Sequence, residues 1–171
     1  MTTTRRHLLL GTVASVASAS AALLSASLFP RRATAAGAAE IFEVNYTDAQ
    51  WQERLSPQQY AVLRREGTER PGSSPLNKEH RPGTFACAGC ALPLFASTTK
   101  FESGTGWPSF WKPLDNAVAT RQDRSYGTVR TEVHCRRCGG HLGHVFDDGP
   151  PPTGLRYCMN GVSLTFTPKA A

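Results

Sequence analysis

Charge is scarce in this chain: only 19% of its 171 residues are Asp, Glu, Lys or Arg. It is also unevenly placed, with no acidic residue before Glu40. The formal net charge of +6 owes much to Arg5, Arg6, Arg31 and Arg32; residues 36–171 carry 15 Lys and Arg against 13 Asp and Glu, a net of +2. That near-neutral balance calls for neither nucleic acid nor an anionic surface as a partner. There is no low-complexity tract beyond the N-terminal segment and no internal repeat apart from two short cysteine pairs. Only one long apolar run occurs, near the N-terminus, and no cysteine is present beyond five. Glycine (15) and proline (12) are plentiful, which points to many short strands and turns rather than a helical bundle. The length suits one domain with a core of moderate size.

The first 35 residues read as a targeting segment. Thr4-Arg5-Arg6-His7-Leu8-Leu9-Leu10 sets twin arginines ahead of an apolar run, Leu8 to Phe29, diluted by Ser, Thr and Gly. Ala33-Thr34-Ala35 then offers small residues to a signal peptidase. The pattern resembles a twin-arginine export signal. A membrane anchor is the competing reading, because the run is about long enough to span. Its serines and alanines make it weakly apolar, and the Ala-x-Ala site favours cleavage. The expected layout is an export signal over 1–35, a linker over 36–46 and one domain over 47–168. The expected location is periplasmic or otherwise extracytoplasmic, with no stable membrane anchor.

Residues 40–83 form a polar leading segment. Ser56, Pro57 and Gln59 mark a helix start, with Gly67 as its stop and Tyr60 and Leu63 as docking residues. Glu69 to Gly83 reads as an irregular loop, and the whole segment is assigned packing alone. From Thr84 strand signals dominate. Val118 to Thr120, Gly127 to His134, Arg156 to Asn160 and Val162 to Phe166 are expected strands. Ser103 to Trp111 is a glycine-rich loop ending in aromatics. On that loop Trp107, between Gly106 and Pro108, is placed to wall a pocket, whereas Trp111 is read as core or rim.

Four of the five cysteines fall in two CxxC pairs, Cys87/Cys90 and Cys135/Cys138. One such pair could be a redox dithiol, a disulfide or half a metal site. Two favour a tetrahedral structural zinc over disulfides, because a two-residue gap turns both sulfurs onto one ion. Gly89, Gly139 and Gly140 supply loose backbone for such knuckles. His141-Leu142-Gly143-His144 follows the second pair directly. With four cysteines satisfying one ion, these histidines are read as acid/base or hydrogen-bonding groups rather than ligands. A spacing of three places them on one side only in a helix, which Gly143 opposes.

Cys158 has no CxxC partner. On an extended strand Arg156, Cys158 and Asn160 share a face, while Tyr157 and Met159 turn toward a core. A cation beside a thiol favours the nucleophilic thiolate, so Cys158 is the candidate reactive cysteine.

Together these stretches resemble the methionine sulfoxide reductase B family, over about Thr47 to Phe166. The resemblance is carried by Cys87-Ala88-Gly89-Cys90, Ser103 to Phe110, Cys135-Arg136-Arg137-Cys138, His141 to Pro150 and Gly154 to Asn160. It implies a mainly β, antiparallel, single zinc-stapled domain with short N-terminal helices. It further implies one structural zinc on Cys87, Cys90, Cys135 and Cys138, with Cys158 as nucleophile. Trp107 would pack on the substrate's S-methyl group, and His141, His144, Arg156 and Asn160 would line the sulfoxide pocket, with Asp148 behind them. The implied reaction is reduction of methionine (R)-sulfoxide, free or in proteins, by a monomer through a Cys158 sulfenic acid, with His141 or His144 protonating the departing oxygen. Many family members carry a resolving cysteine where this chain has Thr105, so an external thiol reductant, thioredoxin-type or similar, is expected. The competing hypotheses are a non-enzymatic zinc-binding interaction module and, less well supported, a thiol peroxidase.

Overall fold

The computed structural model describes residues 40–170; the expected export signal over 1–35 lies outside the described residues. Two short helices open the described chain. Helix α1 spans Asp48–Arg54 and α2 spans Pro57–Leu63. Each begins with a capping box, Thr47 with Gln50 and Ser56 with Gln59, in which side chain and backbone satisfy each other's free groups. The expected start of α2 is therefore met, but the helix ends at Leu63, before Gly67. The box at Thr47 marks α1 equally well.

Nine strands follow: β1 Gly83–Cys87, β2 Pro93–Ala96, β3 Lys100–Phe101, β4 Ser109–Phe110, β5 Val118–Asp123, β6 Arg130–Cys135, β7 His141–Phe146, β8 Arg156–Met159 and β9 Leu164–Pro168. They form an antiparallel three-stranded sheet in the order β2-β1-β9 and an antiparallel six-stranded sheet in the order β3-β4-β8-β7-β6-β5. The expectation of a mainly β fold is thus met. Among the described residues no helix is long and apolar enough to cross a membrane.

Aromatic side chains join the sheets. Phe85 lies opposite both Phe95 and Phe166, and Phe110 from the larger sheet stacks on Phe95 at 4.3 Å. All of Phe85, Phe95 and Phe110 are fully buried, each removal from water being worth about 1.5–3 kcal/mol. The helices cover the cysteine knuckles. Trp51 and Leu63 are buried beside Gly89, and Arg64 donates to the Cys138 carbonyl at 3.0 Å.

Candidate active site

Strand register sets the position of Cys158. It lies directly opposite His144 on β7 and Ser109 on β4. Residues opposite each other in an antiparallel pair project to the same face with Cβ atoms about 5 Å apart, so His144 and the thiol are neighbours by construction. Gly143 permits the close fit. A Cβ there would collide with the Cys158 carbonyl and come within 2.9 Å of the Met159 Cα. The far face of β8 meets expectation, with Met159 fully buried and Tyr157 packed 5.9 Å from Phe95.

A cleft of about 120 Å³ opens beside the sulfur, lined by Thr68, Trp107, Arg130, Gly143, His144, Phe146, Cys158 and Asn160. Of the expected site residues, Trp107, His144, Cys158 and Asn160 all line this cleft. Arg156 and His141 stand next to it without lining it. Arg156 forms a two-pronged ion pair with Asp148 (2.8 and 2.9 Å), and its guanidinium lies 4.4 Å from the Phe146 ring centroid. That pairing raises the arginine pKa and lowers that of Asp148; the nearby Cys158 adds to the first effect. Asn160 is buried just past the end of β8, accepting from the Glu69 amide at 2.9 Å and donating to the Leu142 carbonyl at 3.1 Å.

The two histidines come together without a helix. Between β6 and β7 the register slips, so that His134 faces His141 while Val133 faces Gly143. The extra residue in β7 resets the alternation of side chains. The rings of His141 and His144 consequently meet edge to face at 5.4 Å. Each is held by a carboxylate that no sequence motif announced. His141 Nδ1 bonds Glu132 at 2.7 Å, and His144 Nε2 bonds Asp123 at 2.8 Å. Glu132 also accepts from Arg121, and Asp123 accepts from Arg130 at 2.6 Å. Burial alone would push the Glu132 carboxyl up, but His141 and Arg121 bring it below the ordinary range. Hydrogen bonds from Ser125, then from His144 and Arg130, hold Asp123 well below that range. Burial holds the His144 ring below its usual value against the opposing pull of Asp123.

The glycine-rich loop contributes a wall and a row of hydroxyls. Ser109 donates to the Trp107 carbonyl, Ser103 and Ser109 are 2.7 Å apart, Ser103 and Thr105 are 2.8 Å apart, and Thr105 Oγ1 is 3.8 Å from Cys158 Sγ. Each hydroxyl has one proton to give. With Ser109 committed to the carbonyl, Ser103 donates to Ser109 and Thr105 to Ser103, leaving the Thr105 oxygen as an acceptor for the thiol. Gly106 turns this loop at a φ of +92°, with Pro71 packed where a Cβ would sit. The Gly106 carbonyl accepts from Gly72 at 2.7 Å and from Asn77 at 2.9 Å. The segment after α2, expected only to pack, thus lies over the cleft.

The paired cysteines are brought together as expected, with their sulfurs within 4.8 Å of one another. Cys87 and Cys138 sulfurs are 3.7 Å apart and those of Cys90 and Cys135 are 3.5 Å apart. A tetrahedral ion with bonds of about 2.3 Å needs edges of about 3.8 Å, so the quartet fits zinc. All five cysteines are free thiols, not disulfides. Hydrogen bonding among the four sulfurs pushes the Cys87 and Cys138 thiols up and the Cys90 and Cys135 thiols down. In the two knuckles Ala91 and Gly139 occupy equivalent left-handed positions, so the first turn draws on Ala91 rather than Gly89.

Comparison with known proteins agrees with this geometry. A family profile for the SelR domain matches residues 55–168. The chain is 54% identical over 127 residues to the peptide methionine sulfoxide reductase MsrB of Agrobacterium fabrum, covering 74% of this chain and 94% of that protein. It is 57% identical over 124 residues to the MsrB of Thiobacillus denitrificans (72% and 94% covered). With the MsrB of Leptospira interrogans it shares 53% over 126 residues (73% and 96% covered).

Proposed function

Because the chain belongs to the SelR-domain, methionine sulfoxide reductase B family, we propose that it reduces methionine (R)-sulfoxide to methionine with Cys158 as the nucleophile. The carrying observation is the placement of Cys158: a single thiol, apart from the sulfur quartet, in a cleft with an indole wall and a carboxylate-held imidazole. The Cys158 thiolate attacks the sulfoxide sulfur while His144, held by Asp123, gives a proton to the oxygen. As the protonated oxygen passes from the substrate sulfur to the Cys158 sulfur, the S–O bond and the S–S bond made in the attack both break. Cys158 is left as a sulfenic acid and methionine as the thioether. Trp107 packs against the S-methyl group, Asn160 and Arg130 face the polar end, and Arg156 adds positive charge beside the thiolate. His141 stands behind His144.

Two external thiols complete the cycle. The first condenses with the sulfenic acid, releasing water; the second resolves the mixed disulfide. One zinc ion on Cys87, Cys90, Cys135 and Cys138 would staple the end of β1 to the end of β6, contributing to folding rather than to chemistry. Arg5, Arg6 and Ala33-Thr34-Ala35 support export through the twin-arginine route, which cell fractionation tests. A zinc-binding interaction module would not need Cys158 between His144 and Ser109. The test of the mechanism is a single turnover without reductant. One equivalent of sulfoxide yields one of methionine and a dimedone adduct on Cys158; an adduct elsewhere, or none alongside product, would overturn it.

A further inference from the structure

We propose that Glu69 is a positioning residue for the substrate pocket, acting as the fastener of a strap, Thr68-Glu69-Arg70, that holds the Trp107 wall in place. This inference rests on the reading of Trp107 as the wall that contacts substrate.

Four of Glu69's polar atoms are used, one on the Trp107 indole and three on the turn Asn160-Gly161-Val162. Its carbonyl accepts from the Trp107 indole N–H at 3.2 Å. Its amide donates to the Asn160 side chain at 2.9 Å. Its carboxylate accepts from the Gly161 and Val162 amides at 2.5 and 3.0 Å, across more than ninety residues of sequence. The first two contacts touch the pocket but are made by backbone, which any residue could offer. The carboxylate contacts are specific to the side chain, and they fix where that backbone lies.

Pro71 and Gly72, just after the strap, meet the Gly106 backbone, but the strap itself has open space behind it. Behind the strap lies a second, larger cleft of about 760 Å³ whose lining includes Thr68, Glu69, Arg70, Gly161 and Val162. Thr68 lines both clefts, so the strap is the partition between them. A partition with open space behind it is held by its hydrogen bonds, and two charge-assisted ones are the strongest available here. Without them Asn160 still bonds Leu142 and stays buried, whereas the Trp107 indole loses its anchor. The loss therefore falls on binding of the S-methyl end rather than on proton transfer.

Steady-state kinetics on the full, metal-loaded chain with methionine (R)-sulfoxide and saturating dithiothreitol tests this. Glu69→Ala is expected to raise KM about tenfold with kcat changed less than about threefold, the signature of a lost anchor in substrate binding. Glu69→Gln keeps one acceptor and should give an intermediate rise; it serves if Glu69→Ala does not fold. In Glu69→Ala/Trp107→Ala the KM should match that of Trp107→Ala alone, because Glu69 acts through Trp107. Unchanged KM in folded Glu69→Ala or Glu69→Gln, or effects that multiply in the double variant, would overturn the proposal. A Trp107→Ala variant with normal KM would instead overturn the pocket reading, and this inference with it.

Discussion

Thr105 Oγ1 lies 3.8 Å from Cys158 Sγ, so the glycine-rich loop holds a side chain against the reactive sulfur from the start. A sulfur at the Thr105 γ position would need to close that gap to about 2.05 Å, within reach of side-chain rotation and small loop movement. Thr105→Cys is expected to form a disulfide with Cys158 after one turnover, with water released. Wild type should stop at the sulfenic acid, since the other four sulfurs are gathered in their own quartet. Intact mass and peptide mapping of the oxidised variant check this. A variant that stays dimedone-reactive at Cys158 without a bridge would contradict the loop placement.

Cys158→Ser should lower turnover about a thousandfold or more, because a hydroxyl replaces the thiolate nucleophile. The side chain is part-exposed and nearly isosteric, so metal content and thermal unfolding should match wild type. An unfolded or metal-poor product would contradict the separation of nucleophile from metal ligands.

Cys138→Ser should behave oppositely. Three sulfurs remain of a quartet, three of whose members are buried, that joins the ends of β1 and β6. Loss of the ion should cost several kcal/mol from a total of about 5–15 kcal/mol. Metal analysis and thermal unfolding should show a metal-poor, largely unfolded protein, and strong chelators should do the same to wild type. Retention of the wild-type melting temperature would contradict a structural metal.

The pH dependence has a definite sign. Burial lowers the His144 pKa, while the Asp123 hydrogen bond raises it; the Arg130 and His141 charges add to the lowering. An acid must hold its proton, so turnover should decline as pH rises through this depressed value. Asp123→Asn removes the raising partner, and the declining limb should therefore move to lower pH, slowing turnover at neutral pH. A kcat profile across pH measures it; a limb that stays put or moves up would contradict His144 as the donor.

Much of this site was legible in the sequence because its residues sit in short contiguous stretches. Two CxxC pairs specify a sulfur quartet by spacing, and strand alternation around Cys158 separates the buried Met159 from the cleft side. What was not legible depends on register. Asp123 and Glu132 reach His144 and His141 only because β5, β6 and β7 align as they do. The slip that puts both histidines together is a local bulge, against the simple alternation rule. Glu69 sits in a stretch rich in Pro, Gly and Ser, where no periodicity signals a role, and its partners lie more than thirty residues away. The capping box at Thr47 shows that a helix as short as α1 can be marked by its cap alone.

The most direct measurement is an epimer-resolved reduction assay with dithiothreitol, run on the zinc-loaded protein and on Cys158→Ser. The (R)-sulfoxide should be consumed with stoichiometric methionine formation and the (S)-epimer left intact, while Cys158→Ser consumes neither. Reduction of the (S)-epimer, no reduction of either by folded, zinc-loaded wild type, or substantial activity in Cys158→Ser would contradict the account.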